Sequence, residues 1–127
     1  MQMIAIAGLL IAGVIHILPL AGILGADRIA SLYGIPVADP NIEILMRHRA
    51  LLFGLLGGFI CASIWIPAWR PLAIGAGLLS AFGFAVVCIS VGGWNAALQR
   101  VLIADVIVIA CLLAAGILLM LKPGLTT

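Results

Sequence analysis

The stretch Glu43-Ile44-Leu45-Met46-Arg47-His48-Arg49 sets a carboxylate, an imidazole and two guanidinium groups at the start of a long apolar run. The chain has 6 Lys or Arg, 4 Asp or Glu and 2 His in all, so this stretch holds a disproportionate share of its ionisable groups. Charge is costly in a bilayer, and ionisable residues inside spans are functional-site candidates by default. Side chains of these types hold anions, relay protons or hydrogen-bond polar headgroups.

Spacing sorts them. Glu43 precedes Arg47 by one turn, an i,i+4 pair in the favourable orientation. Arg47 and Arg49 are about 200° apart around a helix, so they do not both face one neighbour squarely. Asp105 is the one carboxylate inside another span and needs a cation beside it, which makes it the natural partner of Arg49. His48 lies between the arginines, and His16 lies deeper, on the first span. With Tyr33 from the intervening segment, the candidate ligand-binding set is Arg47, His48, Arg49, Asp105, His16, Glu43 and Tyr33. No metal-ligand spacing is present, and two histidines at different depths do not make a haem site. No cofactor and no catalytic residue are expected. The same residues also read as anchors: Arg47, His48 and Arg49 snorkelling to head groups, and Asp105 as a first-turn carboxylate favoured by the helix dipole.

The elements that position these groups follow from composition. Hydrophobic residues make up 66% of the 127 and charged residues 8%, with a mean hydropathy of +1.42. A soluble domain is roughly 45–50% apolar and about 25% charged, so the solvent of this chain is lipid. The net charge of +2 is too small and too dispersed to imply nucleic acid. Cys61, Cys88 and Cys111 form no C-x-x-C pair and lie in apolar runs, where they pack as small hydrophobes.

Four spans are expected, at about residues 2–24, 41–66, 71–91 and 101–121. The first has no Lys or Arg ahead of its apolar region and reads as a retained helix, not a cleaved signal. Asp39-Pro40 is an N-cap followed by proline in the first turn of the second, and Lys122-Pro123-Gly124 ends the fourth. Each is near the 20 apolar residues that a bilayer crossing needs, and helices satisfy their backbone internally. The expected fold is all-α, a four-transmembrane-helix up-and-down bundle forming one domain. A short interfacial helix over Asp27-Arg28-Ile29-Ala30-Ser31-Leu32-Tyr33 lies between the first two spans, stopped by Gly34 and Pro36. Its Ile29, Leu32 and Tyr33 share one face.

Up-and-down topology gathers the polar groups. The face carrying the Gly25-to-Pro40 connection, here the first face, receives the end of span one and the starts of spans two and four. Arg49 is about 27 Å of helix from Pro67, and Asp105 about 25 Å from Lys122, which puts both near the first-face edge. His16 lies about 12 Å in from that edge. On the opposite face, Trp65, Trp69, Arg70 and Lys122 read as a belt and anchors. Arg28, Arg47, Arg49 and Arg100 on the first face place it in the cytoplasm by the positive-inside rule.

Small residues recur at helical spacing: Gly8 and Ala12, Gly54 and Gly58, Ala73 with Gly77 and Ala81, Ala110 and Ala114. In lipid such positions allow close helix packing. Gly54 and Gly58 serve either packing within the chain, the favoured use, or a homo-oligomer.

The runs Ser31-Leu32-Tyr33-Gly34-Ile35, Asp39-Pro40-Asn41 and Leu45-Met46-Arg47-His48-Arg49-Ala50-Leu51-Leu52-Phe53-Gly54 resemble small bacterial inner-membrane proteins of the DoxX-like group. The resemblance covers most of the chain and implies a four-helix bundle in a bacterial inner membrane. Some such relatives resemble subunits of quinone-linked sulfur or thiol redox systems, whereas this chain has no paired cysteines. Similar sequences also carry the name phosphopantetheine adenylyltransferase, an activity of soluble α/β enzymes with a His-x-Gly-His motif that is absent here. Two function classes follow. One is a non-catalytic module that binds a lipid, a quinone-like ligand or a partner protein at the polar cluster. The other is a small transporter or quinone-linked oxidoreductase subunit that uses the cluster for anion binding or proton relay.

Overall fold

A computed structural model describes residues 1–121; the expected stop at Lys122-Pro123-Gly124, and the anchor role of Lys122, lie outside them. The fold is the expected all-α bundle. Helix α1 (Gln2–Ile17) continues as a 3-10 segment, Leu18–Leu24. Pro19 explains the change, since its ring clashes with the helical carbonyl four residues back and it has no N–H to donate. Helix α2 (Ala26–Tyr33) is followed by Gly34 in the left-handed region at φ 65°. A Cβ at Gly34 would also lie 3.2 Å from Asn95 Nδ2 and 3.3 Å from the Ala97 Cβ, so the left-handed backbone favours glycine and the space beside it is tight.

Helix α3 (Pro40–Ala62) starts where expected, with Asp39 accepting from the Asn41 backbone N–H at 2.8 Å. It ends four residues before the expected boundary at residue 66. The carbonyls just past its end continue no helix and need other donors, which Arg70 supplies. Its Nε donates to the Ser63 carbonyl at 3.2 Å and its Nη2 to that of Ile64 at 2.8 Å. Arg70 is 4% exposed, which corrects its reading as an interfacial anchor. A 3-10 turn (Pro67–Trp69) then leads into α4 (Arg70–Val91).

Gly92 and Gly93, at φ 72° and 68°, break the chain after α4, and α5 (Ala96–Leu121) follows. The Asn95 Oδ1 accepts from the Leu98 N–H at 2.8 Å, an N-cap that starts α5 five residues before the expected residue 101. The Asn95 Nδ2 donates to the Tyr33 carbonyl at 2.8 Å, tying α2 to the start of α5.

Four segments are long and apolar enough to cross a bilayer: Gln2–Leu24, Pro40–Ala62, Pro67–Val91 and Ala96–Leu121. The chain is a multi-pass membrane protein. Large apolar side chains such as Leu55, Leu79, Ile89, Ile117 and Met120 stand exposed around the bundle, where lipid replaces water as solvent. Helix α1 packs along α3 and α5, α4 packs along α5, and α3 meets α4 only sparsely. Close approach depends on glycine: a Cβ on Gly8 would lie 2.9 Å from the Cys111 carbonyl oxygen, and one on Gly57 would lie 2.7 Å from that of Gly13. Gly54 packs inside the chain against Leu20, while Gly58 faces open space. Ala110 and Ala114 are exposed, and Leu112 and Ala115 take the buried positions on α5.

Candidate cavity beneath the interfacial helix

The buried stripe of α1 runs Ala5, Leu9, Ala12, His16, and that of α5 runs Asp105, Val108, Leu112, Ala115, Leu119. Both keep the 3–4 spacing of a bundle seam. His16 and Asp105 are therefore core positions by register, each the polar member of its apolar stripe on the side of the first face. His16 is 2% exposed and Asp105 8%. Asp105 and Arg49 each lie nine residues past the start of their helices, about 13.5 Å along the axis. His16 precedes the end of its span by eight residues. The three groups share one depth, deeper than the edge position expected for Arg49 and Asp105. The difference arises because α3 ends earlier, and α5 starts earlier, than the expected bounds.

They line one cavity of about 200 Å³ under α2. Ile15, Leu18, Pro19, Leu32 and Phe53 supply apolar walls, and Tyr33 contributes its ring. Leu18 and Arg100, both exposed, stand among the lining residues. The His16 Nδ1 is 2.9 Å from the Ala12 carbonyl oxygen. A carbonyl only accepts, so Nδ1 carries the proton and Nε2 of the neutral ring presents a lone pair. That Nε2 is buried and has no hydrogen-bond partner among the described residues.

Arg49 does not pair with Asp105. Among the described residues Glu43–Arg47 is the only ion pair, and the expected bridge between α3 and α5 is replaced by an aromatic cage. The Arg49 Cζ lies 4.9 Å from the Phe53 ring centre, 5.2 Å from that of Tyr33 and 5.8 Å from that of Phe84, within cation–π range.

The cavity thus brings together Arg49, Asp105, His16 and Tyr33. It leaves out Glu43, Arg47 and His48. Arg47 donates from Nη1 to the Glu43 Oε1 at 3.3 Å and from Nε to the Ile23 carbonyl at 2.9 Å, which fastens α3 to the end of the first span. His48 is exposed, as its 100° offset from Arg49 requires. Phe53, Phe84, Asn95 and Arg100 were not among the expected residues. Phe53 follows Arg49 by four positions, the same helix face, and Asn95 after a Gly-Gly pair carries an N-cap signal. Phe84 and Arg100 have no such local signal.

Arg49→Ala is expected to lower the thermal midpoint in detergent more than Arg28→Ala. Truncation removes contacts with three rings, about 2 kcal/mol in all, whereas an exposed surface change stays within about 0.5 kcal/mol. Equal midpoints would mean that the cage contributes nothing. Because no ion pair joins them, exchanging Arg49 and Asp105 in a double variant is expected not to restore the loss.

No protein-family model, curated protein or solved structure matches this chain.

Proposed function

We propose that this chain is a small non-catalytic membrane module, related to the DoxX-like group of the bacterial inner membrane, that binds an amphiphilic molecule beneath α2. The observation that carries this reading is the convergence of His16, Arg49 and Asp105 from three helices on one cavity, with none of them hydrogen-bonded to another. Buried polar groups are normally paired, and charges at this depth are retained for function. A ligand headgroup supplies what is missing: a donor for the His16 Nε2 and an acceptor for Arg49. The volume is below the roughly 300–1,000 Å³ of drug-sized sites. It suits the head of a lipid or a quinone-like molecule, with the tail left in the membrane.

Mass spectrometry of the protein purified in native lipid tests this. A discrete bound species is expected in the wild type and is expected to be lost in Asp105→Leu. A cavity with no bound species in the wild type, or one equally occupied in the variant, would end the reading. His16 and Asp105, which line the same cavity, also favour a second one, proton relay in a transporter or oxidoreductase subunit. Proton flux in proteoliposomes that disappears in His16→Leu would establish it.

The first face is cytoplasmic in this reading. Arg28, Arg47 and Arg100 remain exposed there, while Arg70 opposite is buried, which strengthens the positive-inside bias. A single cysteine at position 28, in a chain freed of Cys61, Cys88 and Cys111, is expected to resist a membrane-impermeant maleimide in whole cells. It is expected to react in inverted vesicles, and labelling in whole cells would reverse the orientation.

A further inference from the structure

Helices α3 and α4 pack together only sparsely, and a second cavity of about 470 Å³ lies between them. Its lining includes Met46, Arg49, Gly83, Phe84, Val87 and Leu98. Gly83 and Val87 are exposed, so the cleft opens sideways to the membrane. A Cβ on Gly83 would meet nothing within 4 Å. Arg49, Tyr33 and Phe53 line this cleft and the cavity beneath α2 alike, and so form the wall between them.

We propose that the α3–α4 cleft binds a single-chain amphiphile with a carboxylate head, the carboxylate on Arg49 and the chain along the apolar lining. Charge complementarity identifies this occupant. A guanidinium has five N–H donors, and those of Arg49 reach no acceptor among the described residues; its partners there are the three rings. The rings offer these donors no oxygen acceptor, and the guanidinium fork matches a carboxylate with two parallel hydrogen bonds. The remaining lining is almost wholly apolar, and in a bilayer the chain passes from lipid to cleft without crossing water. The site is distinct from the one proposed beneath α2, although Arg49 belongs to both, and it stands or falls independently of His16.

The test uses the full chain, purified in a neutral detergent and titrated with oleate, oleyl alcohol or phosphatidylglycerol, with native mass spectrometry counting adducts. Oleate is expected to bind one per chain, and oleyl alcohol about tenfold more weakly or worse, since charge-assisted hydrogen bonds are lost. Gly83→Leu fills the cleft from a position with free space, so it is expected to weaken oleate by a similar factor with an unchanged thermal midpoint. Arg49→Gln is expected to weaken oleate as well, while His16→Leu leaves it intact. Equal binding of the alcohol, unaltered binding in Gly83→Leu, or equal displacement by phosphatidylglycerol would each overturn the proposal, the last by making a diacyl phosphate the recognised group. Loss of the α2-cavity ligand in His16→Leu with oleate retained separates the two sites.

Discussion

Gly57→Val is expected to abolish the folded bundle in detergent, while Gly58→Val, one position along, leaves its thermal midpoint unchanged. A Cβ at Gly57 would sit 2.7 Å from the Gly13 carbonyl oxygen and 2.8 Å from the Ile17 backbone nitrogen. These are backbone atoms, which no rotamer change moves away, so relief requires α1 and α3 to separate. The cost is at or above the roughly 3 kcal/mol upper end for overpacked cores. It falls on the contact that lipid-embedded helices rely on, since burial from water gives them no help. At Gly58 a Cβ meets nothing within 4 Å. A folded Gly57→Val with a normal midpoint would show that α1 and α3 do not cross at this pair. A Gly58→Val that changes the oligomeric state without unfolding would show that a second copy occupies its open face.

The bundle was largely legible because lipid demands long apolar helices and gives few alternatives. The same holds for α2, whose face of Ile29, Leu32 and Tyr33 is set by local spacing: Ile29 and Tyr33 are buried and Leu32 lines the cavity. The Glu43–Arg47 pair is equally local. Local spacing does not fix chain ends or azimuth. Arg100 looked like the boundary of the last span because it is charged, yet Asn95 begins the helix and Arg100 rides on it. Arg70 reads as a surface anchor because arginine usually is one, yet it turns inward to the Ser63 and Ile64 carbonyls left by the early end of α3. Asp105 and Arg49 match in depth along their two helices. Depth says nothing of rotation about the axis, and rotation sets the guanidinium among Tyr33, Phe53 and Phe84.

That geometry carries a cost in stability. Arg49 exchanges an ion pair for ring contacts, Asp105 faces a cavity, and His16 leaves a lone pair with no donor. A chain selected only to fold would fill these positions with apolar residues, as α1 and α5 do everywhere else along their buried stripes. Sites tend to be where local consistency is broken.

His16→Leu therefore is expected to raise the thermal midpoint of the ligand-free protein while abolishing any stabilisation by the α2-cavity ligand. An unsatisfied buried acceptor costs about 1–3 kcal/mol, and leucine fills the position without one. The substitution removes the Nδ1 donation to the Ala12 carbonyl, but that oxygen keeps a helical N–H four residues on, so little is lost there. A net gain of about 1 kcal/mol corresponds to a rise of roughly 4 °C, readable by differential scanning fluorimetry in delipidated detergent. The wild type starts lower and gains with ligand, because a molecule that binds only the folded state stabilises it by mass action. The variant starts higher and gains nothing. The opposite pattern, a lower starting midpoint with the ligand shift preserved, would mean that the protein itself satisfies Nε2 and that the cavity beneath α2 is packing, not a binding site.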